Sequence, residues 1–304
     1  MPKRRKSRRH NNRNDFTGDV LSALDMMLSG YDKVIGPDFI LANNDSLNAD
    51  YGYLDPEDLR RYDQKYIDTL ISLKPKTKLI IPDNLEALLK EYTKQRELLS
   101  ELHNKTELLI IDNDVAAAKE LKNYDDYGKA VVIRNDAEFN VFCDYILLYR
   151  KVGNKRTLVN WLENTKEVIN SKNKAVINGF ENARFSILRI DKNLQHGAIK
   201  VTNIATKEEM LLIDNALNRS KMEGSFFICS LLNMGKYVMT SGGGIPIDAS
   251  SPGGKSILTL SKGYLNDIKN GNNLSDNLIE CIRKIYGTAI RGRALANMTV
   301  NPCS

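Results

Sequence analysis

Residues 184–248 read RFSILRIDKNLQHGAIKVTNIATKEEMLLIDNALNRSKMEGSFFICSLLNMGKYVMTSGGGIPID. Five apolar runs stand out in it: RFSILRI, GAIKVTNI, EEMLLID, GSFFICSLL and KYVMTSG. Each is rich in Ile, Val, Phe, Leu or Thr. Turn residues separate them, at Asp191-Lys192-Asn193, Ala205-Thr206-Lys207, Glu223-Gly224 and Asn233-Met234-Gly235. Short apolar runs punctuated by Gly and Asn predict hairpins. Alternation supports strands, since Ile199 and Val201 would face one side while Lys200 and Thr202 face the other. An open sheet of five short strands buries little and leaves two edges. Closure into a small antiparallel barrel, of the SH3-like or OB-like kind, is the economical solution. Such barrels often bind nucleic acid or peptide, but a fold does not assign a function.

Upstream of this stretch, helical periods dominate. Val20, Leu21, Leu24, Met27 and Leu28 have helical spacing. So do Leu59, Tyr62, Tyr66, Ile67 and Leu70 behind Pro56, and Leu85, Leu88, Leu89, Tyr92, Leu98, Leu99 and Leu102 behind Asp83. Three apolar tetrads alternate with the later helices: residues 78–81, 108–111 and 130–133. That alternation predicts βαβα order and a small parallel sheet. The expected fold class is therefore α+β. Residues 1–14 form a disordered basic arm, and 15–175 an α/β or mostly helical domain. Residues 183–248 form the barrel, and 249–304 a loop followed by C-terminal helices, with Ser275 capping the last of them. The polar segment 172–181 marks the boundary before the barrel.

Charge is distributed unevenly. The 304 residues carry 44 Lys and Arg against 38 Asp and Glu, a net charge of +6. Seven of the basic residues, Lys3, Arg4, Arg5, Lys6, Arg8, Arg9 and Arg13, lie in the first fourteen positions, and no acid accompanies them. Without them the rest has 37 basic against 38 acidic residues, a net charge of −1. A like-charged segment without apolar residues does not fold alone. Its chemistry suits phosphate backbones, bound by counterion release. A nuclear address in a eukaryotic cell and a solubility tail are the alternatives. No Trp, Phe or Leu anchors the arm to a membrane, and there is no apolar run of about 18 residues. No apolar segment follows the arm, so a secretory leader is not expected.

Chemistry-bearing motifs are sparse. The cysteines Cys143, Cys229, Cys281 and Cys303 are scattered, as are the histidines His10, His103 and His196. A zinc site is not expected, and reduced thiols in a cytoplasmic protein suit this pattern. Asp83, Asp112, Asp114 and Asp136 follow the tetrads. At the ends of parallel strands they could gather as a metal nuclease would need. Each also stands where a helix cap belongs, which is the favoured reading. Ala249 to Ser256 satisfies a relaxed phosphate-loop pattern, in which Gly254 would approach phosphate, Lys255 would reach the β/γ-phosphates and Ser256 would hold Mg²⁺. Ala249 replaces the first Gly, and Pro246 precedes the motif, which suits a central strand poorly. The favoured reading is a connector. The sequence thus predicts a non-enzymatic binding protein that associates with nucleic acid or ribosomes through its arm, without cofactor or resident metal and with no catalytic residue assigned. A Mg²⁺-nucleotide hydrolase, a metal nuclease and a protein-interaction or host-targeted factor are the alternatives.

Overall fold

The computed structural model describes residues 39–41, 62–127, 129–133, 135–165, 173–269 and 275–291. The basic arm and the expected helix at 16–28 lie outside them.

Capping residues set the helices. Asp63 accepts the Tyr66 N–H and opens α1 (Gln64–Ile71). A non-helical strap, residues 72–84, with a turn at Ser72 and bends at Lys76 and Asp83, leads to α2 (Leu85–Lys105). Asn84 caps it by accepting the Ala87 N–H at 2.9 Å, a role the sequence suggested for its neighbour Asp83. α3 (Glu107–Ile111) and α4 (Asp114–Leu121) follow. The tetrad 108–111 was expected to be a strand and is helical. Four consecutive apolar residues carry no period of their own. Here Thr106 ends α2 and restarts the helix by accepting the Ile110 N–H at 3.1 Å. The tetrad 78–81 is not a strand either. It belongs to the strap, with Ile80 87% exposed. Only 130–133 behaves as expected. It forms β3 (Ala130–Ile133), which pairs parallel with β1 (Phe39–Leu41) and antiparallel with β2 (Tyr124–Asp125). The βαβα expectation is thus corrected to helices around a three-stranded sheet.

Asn135 accepts the Glu138 N–H at 2.9 Å and opens α5 (Asp136–Asp144). This helix runs on into a π turn, Tyr145–Tyr149, closed by the Arg150 N–H on the Tyr145 carbonyl at 2.9 Å. The hairpin β4 (Lys151–Val152) and β5 (Lys155–Arg156) turns at Gly153, with φ +66°. α6 (Thr157–Thr165) comes next. The segment read as a polar boundary is the helix α7 (Lys174–Glu181), with Val176, Ile177 and Phe180 buried.

The five expected strands are present as β6 (Arg184–Asn193), β7 (Ala198–Asn203), β8 (Glu209–Ile213), β9 (Phe226–Asn233) and β10 (Val238–Ile247). They close into a ring in the order β6-β7-β8-β10-β9. Four pairings are antiparallel. The fifth, β8 with β10 at Leu212 and Val238, is parallel and closes the ring. A short helix, α8 (Asn215–Arg219), separates the third strand from the fourth and begins at Asp214, which accepts the Leu217 N–H at 3.0 Å. One parallel pair between third and fifth strands, with a helix between third and fourth, is the OB arrangement rather than the SH3 one.

The barrel is filled and also enclosed. Inside it, Leu188, Ile190, Ile199, Val201, Leu212, Phe227 and Cys229 form one cluster, with Leu217 of α8 at its end. The outward residues Phe185, Ile187, Ala198, Ile213, Phe226, Ile228 and Met239 are buried too, in a second cluster shared with the helices. β9 is therefore apolar on both faces, as FFICSLL reads. α9 (Pro252–Lys269) and α10 (Asp276–Arg291) complete this outer layer. Tyr264 of α9 donates to the Phe185 carbonyl at 2.6 Å, and Ser275 caps α10 by accepting the Leu278 N–H at 3.1 Å.

The triglycine 242–244 lies within β10, where the register with β9 shifts between Thr240 and Gly244. A Cβ on Gly243 would sit 2.9 Å from the Asn140 carbonyl and 2.8 Å from Asp144 Oδ2. Gly243 thus lets α5 rest directly on the strand. Gly243→Ala should destabilise the protein by about 1–3 kcal/mol, because a backbone atom must give way. A urea melt reads this, and a variant as stable as the parent would contradict the packing.

Candidate functional site

The π turn is what assembles the polar centre of this molecule. Asp144 is its last α-helical residue and Tyr149 lies five positions later. In a helix of i→i+5 bonds these two side chains share a face. Both point at the barrel. Tyr149 Oη and Ser230 Oγ of β9 share a hydrogen bond at 2.7 Å, and Ser230 also bonds Asp144. Ser241 of β10 donates from Oγ to Asp144 Oδ2. Asp144 is 2% exposed, and Ser230, Ser241 and Tyr149 are fully buried.

A carboxyl held only by hydroxyls keeps little reason to ionise. Burial pushes the Asp144 carboxyl up to about 7, although the Ser241 and Ser230 bonds and the Arg96 charge pull the other way. On the far side of the glycines stands His103 of α2. Its Cε1 lies 3.7 Å from where a Cβ on Gly242 would be, and its ring meets Phe180 edge-on at 5.3 Å. Burial, helped by the Arg96 charge, pushes its imidazole down to about 4. Both groups are therefore uncharged over a shared range of pH. Ser241 and Asp144 are in hydrogen-bond contact, as a nucleophile and its base must be. Both are closed to solvent, and their hydrogen bond fixes α5 to the barrel.

Arg96 of α2 ties the neighbouring corner. Its NH1 donates to the Thr240 carbonyl at 2.9 Å and its NH2 to Thr240 Oγ1 at 3.0 Å, while NH2 also reaches Asp214 Oδ2 at 3.5 Å. Nε donates to Tyr92 Oη at 3.2 Å, and Thr240 Oγ1 donates to Asp214 Oδ2 at 2.8 Å. One guanidinium thus joins α2, β10 and the cap of α8. Arg96→Leu removes the counter-charge of the buried Asp214 carboxylate, which keeps its Thr240 and Leu217 donors, and the guanidinium donor of the Thr240 carbonyl, and should cost about 2–4 kcal/mol. Arg96→Lys keeps the charge but not the planar fork, so it should recover only part of that loss. Equal stability of all three proteins in urea would remove this corner from the argument.

The residues singled out by sequence lie elsewhere. Lys3, Arg4, Arg5, Lys6, Arg8, Arg9 and Arg13 are outside the described residues. Gly254, Lys255 and Ser256 fall in the first two turns of α9, which starts at Pro252. The connector is only 248–251. The Gly254 N–H donates to Ser251 Oγ at 3.0 Å and the Lys255 N–H to the Ser251 carbonyl at 3.0 Å, so these donors are engaged within the chain. A Cβ on Gly254 would lie 1.9 Å from the Asp248 carbonyl oxygen, which accounts for the glycine by packing. Lys255 Nζ stands over the Tyr62 ring at 4.8 Å. Asp112 is exposed at the end of α3, and Asp114 begins α4. Among the described residues no group of three or more His, Cys, Asp or Glu stands together as a metal ion requires. Cys143, Cys229 and Cys281 are free thiols, and burial raises all three.

Sequence reasoning passed over Asp144 and Ser241. One signal was present for each: an acid set within VFCDYILLY, and a Ser-Gly-Gly-Gly run at the end of an apolar strand pattern. No helix among the described residues is long and apolar enough to cross a membrane.

No curated protein and no solved structure matches the chain significantly. A family model does match, over residues 86–288, from the first turn of α2 into α10. That span holds the barrel, its enclosing helices and the Asp144 network, and it leaves out the arm and the strap. The chain belongs to the family of unknown function DUF7986.

Proposed function

We propose that this is a non-enzymatic binding protein that holds nucleic acid, free or within ribosomes, through its basic N-terminal arm. The observation that carries this reading is charge segregation. Seven basic residues and no acid occupy positions 1–14, while the other 290 residues carry a net −1. Association with a polyanion is then driven by the arm. The OB order of the barrel adds a fold-level analogy, since such barrels bind oligonucleotides on their second and third strands. Here the outward residues Ala198, Thr202 and Ile213 of those strands are covered by the protein itself, which leaves the arm as the principal contact. The compartment that fits is the one holding the polyanion: the cytoplasm, or the nucleus if the host is eukaryotic. Binding of the full chain and of residues 15–304 to a generic duplex and to structured RNA, at several salt concentrations, tests the reading. Loss of binding with the arm supports it, and equal binding by both proteins defeats it.

A further inference from the structure

We infer that the strap at residues 72–84 is a second phosphate-binding surface, which lays Lys74, Lys76 and Lys78 along the backbone of an extended nucleic-acid strand. This rests on the nucleic-acid reading above and deepens it. Residues 72–84 read SLKPKTKLIIPDN, with three lysines and one acid, Asp83, near the far end. All three lysines are exposed. None has a carboxylate ion-pair partner among the described residues. The three charges lie within five residues, on a segment that bends at Lys76 and bridges to the barrel at Thr77.

The strap is fixed to the barrel, which makes it a surface rather than a tail. Lys76 N–H donates to the Lys207 carbonyl at 2.7 Å, and Thr77 bridges Glu208 in parallel. Leu79 N–H donates to Glu209 Oε2 at 2.7 Å. From β6, Arg189 NH1 donates to the carbonyls of Ile71 and Leu73 at 3.1 and 2.7 Å. Lys207 and Glu208 lie on the turn between β7 and β8, and Glu209 begins β8. The strap therefore roofs the edge of the two strands through which OB barrels contact single strands, and it presents lysines where that surface would be. Of the acids beneath it, Glu209 is held by Lys200 at 2.6 Å and also feels the charge of Lys78. Glu208 beneath the strap and Asp83 within it are exposed and offset two of the three charges. No aromatic residue lies in the strap for base stacking, so contact is with phosphate and is sequence-tolerant. The isoleucines at 71, 80 and 81 also suit a lipid surface, but no Trp or Phe accompanies them.

The test is the triple variant K74Q/K76Q/K78Q in the full-length chain, with labelled oligo-dT and oligo-U as probes in anisotropy titrations across salt. If all three lysines contact phosphate, the slope of log K against log salt becomes shallower by about 2, at roughly 0.7 per contact on single strands. The charge-preserving K74R/K76R/K78R should keep the parent slope, which separates charge from folding. Loss on oligo-U alone would mark RNA as the partner, and loss on both a generic strand. A triple Gln variant with parent affinity and slope overturns the strap while the arm deletion still tests the arm. Reduced binding by the variant to vesicles containing phosphatidylserine, with polynucleotide binding unchanged, also overturns it in favour of a membrane surface. Absence of polynucleotide binding by the full chain at low salt overturns strap and arm together.

Discussion

Asp144→Asn is expected to gain stability over the parent as pH rises, on the order of 4 kcal/mol between pH 4 and pH 7. The asparagine matches the carboxyl in shape and can still accept from Ser241, but it cannot ionise. In the parent the carboxyl is raised from 3.8 to about 7 by burial. A raised acid favours the folded state fully below 3.8, and that advantage is lost as pH climbs through the folded value. About three pH units at 1.36 kcal/mol each set the scale. His103 has the opposite sign. It is lowered from 6.5 to about 4, so its contribution is full above 6.5 and is lost as pH falls through 4. Between those limits the folded protein holds one extra proton at Asp144 and lacks one at His103. The two slopes oppose each other, and the parent is flat as far as this pair is concerned. Removing either partner exposes the other. His103→Gln should be favoured relative to the parent at pH 4 by on the order of 2–3 kcal/mol, with the difference closing towards pH 6.5. The other charged or titratable groups around Asp144 are Arg96, Cys143, Cys229, Tyr149 and Tyr286. Burial raises the thiols and phenols among them, so they stay neutral throughout. Urea melts of the three proteins at pH 4, 5, 6 and 7 give the differences directly. Parallel curves for Asp144→Asn and the parent would mean that the carboxyl is not neutral in the fold.

This pair also shows where the sequence stopped being informative. The barrel was legible because alternation and Gly-Asn punctuation act over a few residues, and a strand that buries one or both faces must write them. The helix start at Ser275 was legible for the same reason, a side-chain oxygen meeting an N–H three residues on, and the one expected at Asp136 falls on its neighbour Asn135. The tetrad 108–111 misled, because four apolar residues lack a period and only the caps around them decide helix or strand. The parallel closure of β10 on β8 depends on the chain crossing an end of the barrel, which no local pattern records. Asp144 was hidden differently. Its partners Ser230 and Ser241 lie 86 and 97 positions away, and the π turn that brings Tyr149 onto the same face leaves no compositional mark. The glycines at 242–244 carry no apolar pattern, yet the missing side chain of Gly243 is what admits α5 to the strand. A phosphate loop and a helix start share the same letters at 251–256, Ser-Pro-Gly-Gly-Lys-Ser, because both put free N–H groups at the head of a helix.

Removing residues 1–14 should leave the melting midpoint unchanged and abolish most affinity for polyanions. The segment supplies no Leu, Ile, Val, Phe, Tyr or Trp to any core, so its loss subtracts no apolar burial. It does subtract seven positive charges from a chain whose remainder carries −1. If all seven contact duplex phosphate, log K for the full chain falls with log salt at a slope of about −6, at roughly 0.9 per contact. Between 50 and 200 mM salt that is a loss of three to four decades in affinity. Fewer contacts give a proportionally shallower line, so the slope counts the residues engaged. The strap separates from the arm in the same experiment. With the arm deleted, three lysines offset by Asp83 and Glu208 would retain weak binding with a slope of about −2 on single strands, lost in K74Q/K76Q/K78Q. A full chain whose affinity does not change with salt would show that phosphate neutralisation is not what holds the complex. The arm would then act as an address, which fusion of residues 1–14 to a reporter would reveal as relocalisation.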